Sequence, residues 1–192
     1  MPEAKSKSPA KPSARRADAE RNRTKILAAA RGAFVDPEAE VSMAEVARRA
    51  GVGMATLYRN FPGRRELLEA LYVDEVDALC VSVETLASDD HGDRLDEWLH
   101  RFFAFFRSKR HLADELLKNP DGGTRPFFDA NRSRVFSTGA PLLDAAQRAG
   151  EVRDDLSLEQ VLELVIAVAK ISGEPAHLEP ILQTALDGLR PR

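Results

Sequence analysis

The sequence predicts an all-α protein with a three-helix unit at its N-terminus, a larger helical body behind it and about nine helices in all. Apolar side chains recur at three- and four-residue spacing, which is typical of amphipathic helices. Two of the predicted helices follow a serine that is placed to cap them, at Ser42 and Ser157. The 192 residues are enough for one or two domains with a sizeable core.

The distribution of charge separates the N-terminal third from the rest of the chain. Residues 1–66 carry 14 Lys and Arg against 8 Asp and Glu, whereas the remainder carries 14 against 23. A basic end of this kind favours contact with a polyanion such as DNA. Cys80 is the one cysteine, so no disulfide can form within the chain, and no apolar run is long enough to span a membrane. We therefore expect a cytoplasmic protein.

The first predicted helix follows a basic arm. Residues 1–19 contain prolines and lysines and almost no large apolar side chain, which predicts a disordered arm that either touches phosphates or has no role. A helix is predicted from about Ala19 to Val35, and Asp36-Pro37 should end it because the residue before proline is pushed out of the α region. The apolar stripe of this helix is Ile26, Leu27, Ala30, Ala33 and Phe34.

Residues 42–64 predict two helices joined by a tight turn. Ser42 is placed to accept from the amide of Glu45 while the Glu45 side chain reaches back, which is a capping box. Gly51 then turns the chain through positive φ at little steric cost. Two helices joined by three or four residues that include Gly form a helix-turn-helix. Leu57 and Phe61 should lie on the buried face of the second helix.

This stretch resembles the DNA-binding signature of the TetR family of bacterial transcriptional repressors. The matching segments are Val46-Ala47, Ala50-Gly51-Val52, Thr56-Leu57-Tyr58, Phe61-Pro62 and Arg64. A helical hairpin in an unrelated bundle is the alternative. The resemblance implies a DNA-binding domain over residues 20–66 and a ligand-binding and dimerisation domain over residues 67–192.

By this resemblance the second helix of the pair enters the major groove with its first residues at base edges, while other side chains reach phosphates. Gly53 and Met54 depart from the family, which often has Ser and a polar or basic residue there, so readout should depend on apolar contact, on Arg59 and on DNA shape. Tyr58 as a half-buried core residue and Arg59 as a solvated one are the open alternatives. The predicted DNA-binding residues are Arg23, Ser42, Met54, Ala55, Thr56, Tyr58, Arg59 and Arg64.

Beyond Gly63 a long helix is predicted to about Ser88, and then an aromatic helix. The stripe of the aromatic helix, which leaves out Phe105, has regular helical spacing and either walls an apolar cavity or is plain core. A helix from about Arg125 to Ala149 should be kinked or broken at Pro141. The predicted ligand-binding residues are Trp98, Phe102, Phe103, Phe106, Leu117, Phe127 and Phe128, with His100, Arg107 and Asn131 as possible polar anchors.

The last two predicted helices form a hairpin. Ser157 caps the first of them with a charged partner nearby in Glu159, and Gly173 and Pro175 make the turn. By resemblance, residues of about 157–189 form a four-helix dimer interface with a second copy, and a dimer predicts a palindromic operator. The alternative is that both stripes pack within one subunit.

No constellation for catalysis, no metal-ligand spacing and no cofactor motif is found, so we expect no enzyme. The sequence predicts a transcriptional regulator, as a repressor that a small apolar or aromatic ligand releases from DNA, with activation as a further possibility. The alternative is a helical small-molecule binding protein whose DNA-binding head is vestigial.

Overall fold

The computed structural model describes residues 12–34, 41–118 and 123–191, with side chains from residue 16 onward. These residues contain eight α-helices, one 3-10 helix and no strand, so the predicted all-α class is confirmed. The chain divides into two compact units between Leu71 and Tyr72, a few residues after the predicted boundary. The helices are α1 (Pro12–Ala33), α2 (Met43–Ala50), α3 (Met54–Asn60), α4 (Arg64–Val81), α5 (His91–Lys118), α6 (Thr124–Arg148), α7 (Leu158–Ala169) and α8 (Pro175–Asp187).

Helix α1 begins at Pro12, earlier than predicted, so residues 12–18 are helical and not part of a disordered arm. Proline is tolerated in the first turn of a helix, and the alanines and arginines behind it have high helix propensity. The remaining arm, residues 1–11, and the predicted stop at Asp36-Pro37 lie outside the described residues.

In the first unit, α1 packs on α2 and α3. The side chains of Ile26, Leu57 and Phe61 are buried to 1% exposure or less, as their spacing predicts. Burying an apolar side chain of this size stabilises the fold by about 1.5–3 kcal/mol. Gly51 adopts φ 65° after α2, the left-handed conformation that the turn requires.

Helix α4 ends at Val81, earlier than the predicted Ser88, and a 3-10 helix (Ser82–Thr85) follows it. The Ser82 hydroxyl donates to the Leu79 carbonyl at 2.6 Å, which competes with the helical backbone pattern. Arg101 of α5 then donates to the Ser82 carbonyl at 2.6 Å and to the Thr85 hydroxyl at 2.8 Å. These side-chain bonds stop the helix, and spacing alone does not reveal them.

Helix α6 runs through Pro141 without a break, so of the two predicted outcomes the break is wrong and the kink stays a prediction. Proline removes one backbone hydrogen bond at a cost of about 3 kcal/mol. Val135, Leu142 and Leu143, on both sides of Pro141, are buried in the core of the body, and that burial offsets the loss.

The body core forms where α5 packs on α6 and α7, and where α7 packs on α6 and α8. Trp98 is fully buried, and Gly139 of α6 lies against its ring. A Cβ added to Gly139 would lie 2.7 Å from the Trp98 ring carbon Cζ3, so only glycine fits there. Within the described ranges every helix is too short or too polar to cross a bilayer.

Candidate functional site

The first candidate surface lies on α2 and α3. The Ser42 hydroxyl accepts from the Glu45 amide at 3.1 Å, which is one half of the predicted capping box. The Glu45 carboxylate does not reach back, because it accepts from Arg48 at 2.7 and 2.8 Å and from Arg49 at 2.6 Å. Hydrogen bonds from these two arginines lower the pKa of Glu45 to about 2. Glu45 therefore stays ionised and holds both guanidinium groups at the surface of α2.

Arg48 and Arg49 were not among the residues predicted from the sequence, although the signal was present. A carboxylate followed three and four residues later by cations places all three groups on one helix face. The side chain of Arg48 is 73% exposed and that of Arg49 is 44% exposed. Both arginines remain accessible to a phosphate from the solvent side.

Helix α3 has one buried face and one open face. Leu57 is completely buried, whereas Met54 is 39% exposed and Tyr58 is 46% exposed. Tyr58 is thus not a core residue, which removes the structural alternative for this side chain. The open face presents Met54, Ala55, Tyr58 and Arg59, with Thr56 half-buried beside them.

The Arg59 guanidinium folds back along its own helix. Its Nε donates to the Ala55 carbonyl at 3.1 Å, and its Nη2 donates to the Thr56 hydroxyl at 3.1 Å. The guanidinium therefore lies beside Ala55 and Thr56, two of the three residues that were predicted at base edges. A guanidinium has five N–H donors, so three of them remain for a ligand.

Arg23 and Arg64 hold the first unit together. The Arg23 guanidinium lies 4.9 Å from the centre of the Phe61 ring, and that of Arg64 lies 5.1 Å from the centre of the Phe34 ring. Arg64 also donates to the Val41 carbonyl. Cations over aromatic faces contribute about 0.5–2 kcal/mol. Both arginines are half-buried, so a DNA contact would use only the N–H groups that remain.

The second candidate site is a cavity of about 470 Å³ in the body. Its walls come from α4, α5, α6 and α7. Phe102, Phe106 and Phe128 line it, as predicted, and so do Tyr72 and Phe105, which were not predicted. The Tyr72 ring lies 6.0 Å from that of Phe105 and 5.5 Å from that of Phe128, and burial raises the pKa of its phenol.

Four other predicted ligand-binding residues do not line this cavity. Trp98 and Phe103 are buried in the core, although Trp98 stacks on Phe102 at 6.0 Å between ring centres. Phe127 does not line the cavity, but the centre of its ring lies 5.6 Å from that of Tyr72, which does. Leu117 is 52% exposed on the last turn of α5. The ligand-binding role of all seven residues stays a prediction.

The three possible polar anchors have different surroundings. Asn131 lines the cavity, but its amide donates to the Phe127 carbonyl at 2.9 Å. His100 lies elsewhere, between Asp96 at 3.3 Å and Glu179 at 3.5 Å. Arg107 donates to the Gly173 carbonyl at 3.0 Å and so holds the turn between α7 and α8.

Helix α7 has three distinct faces. Val161 and Val165 are fully buried in the core, and Glu163 and Ile166 line the cavity. The third face is apolar and exposed, with Leu164 at 38% and Ile171, just beyond the helix, at 40% exposure. The cap of α7 is a complete capping box, in which Gln160, and not Glu159, is the partner of Ser157.

Both units of the chain match models of known protein families. Residues 26–71 match the family model described as bacterial regulatory proteins of the tetR family, and residues 90–191 match the C-terminal domain of SbtR-like transcriptional regulators. The structure is similar to a TetR transcriptional regulator from Streptomyces coelicolor, with 37% identity, 88% of this chain and 98% of that chain covered, and a TM-score of 0.72. It is also similar to a TetR regulatory protein from Mycobacterium vanbaalenii, with 31% identity, 92% and 99% coverage, and a TM-score of 0.73.

A relative known from sequence is the nucleoid occlusion factor SlmA of Marinobacter nauticus, with 28% identity over 123 residues. That match covers 63% of this chain, and the chain spans 63% of the length of this curated relative. Among the described residues, no group of three or more His, Cys, Asp or Glu is arranged to hold a metal ion.

Proposed function

The chain belongs to the TetR family of bacterial transcriptional regulators, and from this premise we propose that it is a homodimeric repressor which leaves a palindromic operator when a small apolar or aromatic molecule enters its body. It is a DNA-binding transcriptional regulator with a ligand-binding domain. Regulators of this family are generally not enzymes, and we propose no reaction for this chain. Its place of action is the chromosome, in the cytoplasm.

One observation carries the proposed operator binding. Arg59 is held against Thr56 on the open face of α3, while Leu57 anchors the opposite face in the core. A helix fixed in this way presents a guanidinium and a hydroxyl in one orientation, and a preorganised side chain loses little freedom on binding. Arg59 is therefore proposed to pair with a guanine in the major groove.

Phosphate contacts are assigned to the margins of this surface. Arg48 and Arg49, together with the capped N-terminus of α2 at Ser42, are proposed to contact the backbone. Tyr58 is proposed to reach a phosphate, and Met54, Ala55 and Thr56 to meet base edges. Arg23 and Arg64 contribute mainly by keeping the three helices together.

The test is selection of DNA from a random pool by the full chain. A dimeric repressor should enrich an inverted repeat whose half-sites lie about 34–36 Å apart. Arg59→Gln should lose preference at one guanine by about 1–3 kcal/mol. Arg148→Gln is the matched control, because Arg148 also donates from Nε to the carbonyl four residues earlier on its own helix, at 3.0 Å, but lies in the body.

Two outcomes would contradict operator recognition by Arg59. Enrichment of no repeat would leave only salt-dependent bulk binding and favour the small-molecule binding protein with a vestigial head. An unchanged base preference in Arg59→Gln would remove the guanine contact. Transcription from a promoter that carries the selected site then separates repression from activation.

Dimerisation is proposed through α7 and α8. The exposed apolar side chains of Leu164 and Ile171 support this interface, because such side chains favour burial against a second copy. Leu164→Glu should shift sedimentation towards a monomer, and Leu117→Glu, the same change at an exposed leucine on α5, should not. If Leu164→Glu left the dimer unchanged, the surface around Leu164 would be excluded from the dimer interface.

The effector is proposed to act by population shift. A ligand that binds one shape of the body better favours that shape, and DNA affinity falls if the dimer then fits the operator less well. The fluorescence of Trp98, which stacks on Phe102 of the cavity wall, should change when the cavity fills.

A further inference from the structure

Two charged side chains at the rim of the cavity have no ionic partner among the described residues. They are Glu163 and Lys170, seven residues apart on α7 and its C-cap, which corresponds to about 10 Å along the helix axis. The other charges of the rim have partners. Arg132 pairs with Glu159 at 2.5 Å, and Asp129 lies 3.8 Å from Arg125.

When the two ion pairs are counted as neutral, the cavity rim keeps, among the described residues, one unpaired carboxylate, that of Glu163, and one unpaired cation, Lys170. Three carboxylates line the cavity, those of Asp129, Glu159 and Glu163, and so do the two cations Arg132 and Lys170. Since Arg132 is paired with Glu159 and Lys170 lies about two helical turns from Glu163, the Glu163 carboxylate remains uncompensated where the cavity opens. An anionic ligand would be repelled by the Glu163 carboxylate, and a neutral ligand would leave this carboxylate without a counter-charge.

The aromatic walls of the cavity also favour a positively charged ligand. Aromatic faces are the negative part of the ring quadrupole and attract cations. The lining rings are Tyr72, Phe102, Phe105, Phe106, Phe128 and Phe136. Among these six rings, within the described residues, Phe136 alone has a cation over its face, Arg132 at 4.9 Å. Phe102 is buried with Trp98 stacked on it, whereas the rings of Tyr72, Phe105, Phe106 and Phe128 are half-buried at the cavity and can receive a cation that the ligand brings.

We infer that the effector of this cavity is an organic cation, with an apolar or aromatic body among the rings and a protonated amine beside the Glu163 carboxylate. This inference rests on the proposed function, in which the cavity receives the effector. A volume of about 470 Å³ suits a small organic molecule. The apolar body supplies affinity by burial, and Glu163 with the ring faces selects the charge.

The test uses three probes that share one ring system and differ in charge: 2-naphthylmethylammonium, 2-naphthylmethanol and 2-naphthoate. Each is titrated into the full chain at pH 7 and followed by calorimetry. The ammonium should bind about tenfold more tightly than the alcohol, and the carboxylate should bind most weakly. Equal affinity of the ammonium and the alcohol, tightest binding of the carboxylate, or no binding by any probe would overturn the inference.

Variants locate the charge selection. Glu163→Gln should reduce the preference for the ammonium to about twofold or less and leave the affinity for the alcohol unchanged, which also shows that the cavity is intact. Glu84→Gln, an exposed glutamate of the 3-10 helix outside the cavity, is the matched control and should keep the full preference. A preference that persists in Glu163→Gln would overturn the assignment. Operator selection needs no small molecule, so these outcomes are distinguishable from failure of the proposed DNA binding.

Discussion

The two units of the chain use aromatic side chains in opposite ways. In the first unit the rings of Phe34 and Phe61 are buried to 5% and 1% exposure, and each has an arginine over its face. In the body, Phe105, Phe106 and Phe128 are only half-buried and turn towards a cavity. The rings of the first unit are part of its packing, whereas the half-buried rings of the body border a cavity, and one of these, Phe136, does so with Arg132 over its face.

Phe102 and Phe103 make a comparison within the body, since they are adjacent residues of α5 and both are buried. The Arg107 guanidinium lies 5.8 Å from the centre of the Phe103 ring, and Phe103 does not line the cavity. Phe102, on which Trp98 stacks, does line the cavity. The two rings thus differ in whether they border the cavity and not in how deeply they are buried.

The largest expected effect comes from removing one ring of each kind. Phe61→Ala should lower the free energy of unfolding by about 3–5 kcal/mol, because a covered, fully buried ring leaves an empty space. Phe106→Ala should cost about 1–2 kcal/mol, since its face already borders a cavity. Urea unfolding followed by circular dichroism measures both variants. Equal losses would show that the rings at the cavity are as structural as those of the first unit.

A glycine in each unit gives the next contrast. Gly139→Ala should destabilise the body by about 1–3 kcal/mol, because the new methyl group meets the Trp98 ring. Gly32→Ala in α1 should stabilise by about 0.5–1 kcal/mol, since no described atom lies within 4 Å of its added Cβ and alanine favours the helix. Thermal unfolding midpoints should move in opposite directions. If Gly139→Ala left the unfolding midpoint unchanged, the core around Trp98 would have to be packed loosely enough to accept a methyl group.

The smallest expected effect is a pH dependence confined to the body. Asp96, followed by Glu179, raises the pKa of His100 from 6.5 to about 9. A raised pKa contributes stability that is complete below pH 6.5 and is lost as the pH rises through 9. His100→Gln should therefore lose on the order of 1 kcal/mol at about pH 6 and nothing above the raised pKa.

Hydrogen exchange read separately on the two units checks this prediction. His100 and its partners Asp96 and Glu179 all lie in the body, so the His100-dependent change should be absent from the first unit. His91→Gln, the same substitution at the exposed start of α5, is the matched control. The assignment fails if His100→Gln differs from the parent equally at about pH 6 and about pH 10.

Local signals in the sequence predicted much of the first unit and of the helical framework. The cap at Ser42, the left-handed Gly51 and the burial of Leu57 each depend on residues within a few positions. The end of α4 did not follow from spacing, because Arg101, nineteen residues after Ser82, helps to fix it. The uninterrupted α6 depends on the burial around Pro141, which spacing does not measure.

The sequence left open whether the aromatic residues wall a cavity or form plain core, and it identified the cavity lining only in part. Phe105 lies outside the apolar stripe of α5 and nevertheless lines the cavity, because α4 and α6 bring Tyr72 and Phe128 to that side. Leu116 and Leu117 are consecutive, and one is buried while the other is exposed. Successive helical positions differ by about 100°, so which of two neighbours faces inward is decided by the packing partners.

Helix α7 carries its three roles on one short segment. Glu163 borders the cavity, Leu164 lies on the exposed apolar face, and Val165 is fully buried in the core. A mutation that shifts or rotates this helix therefore changes the cavity rim, the exposed apolar face and the core packing together. With the proposed effector in this cavity and the proposed dimer interface on this face, lineages that diverge in the molecule they sense should diverge in their dimer surface at the same time, which would keep newly duplicated copies from pairing with the parent protein.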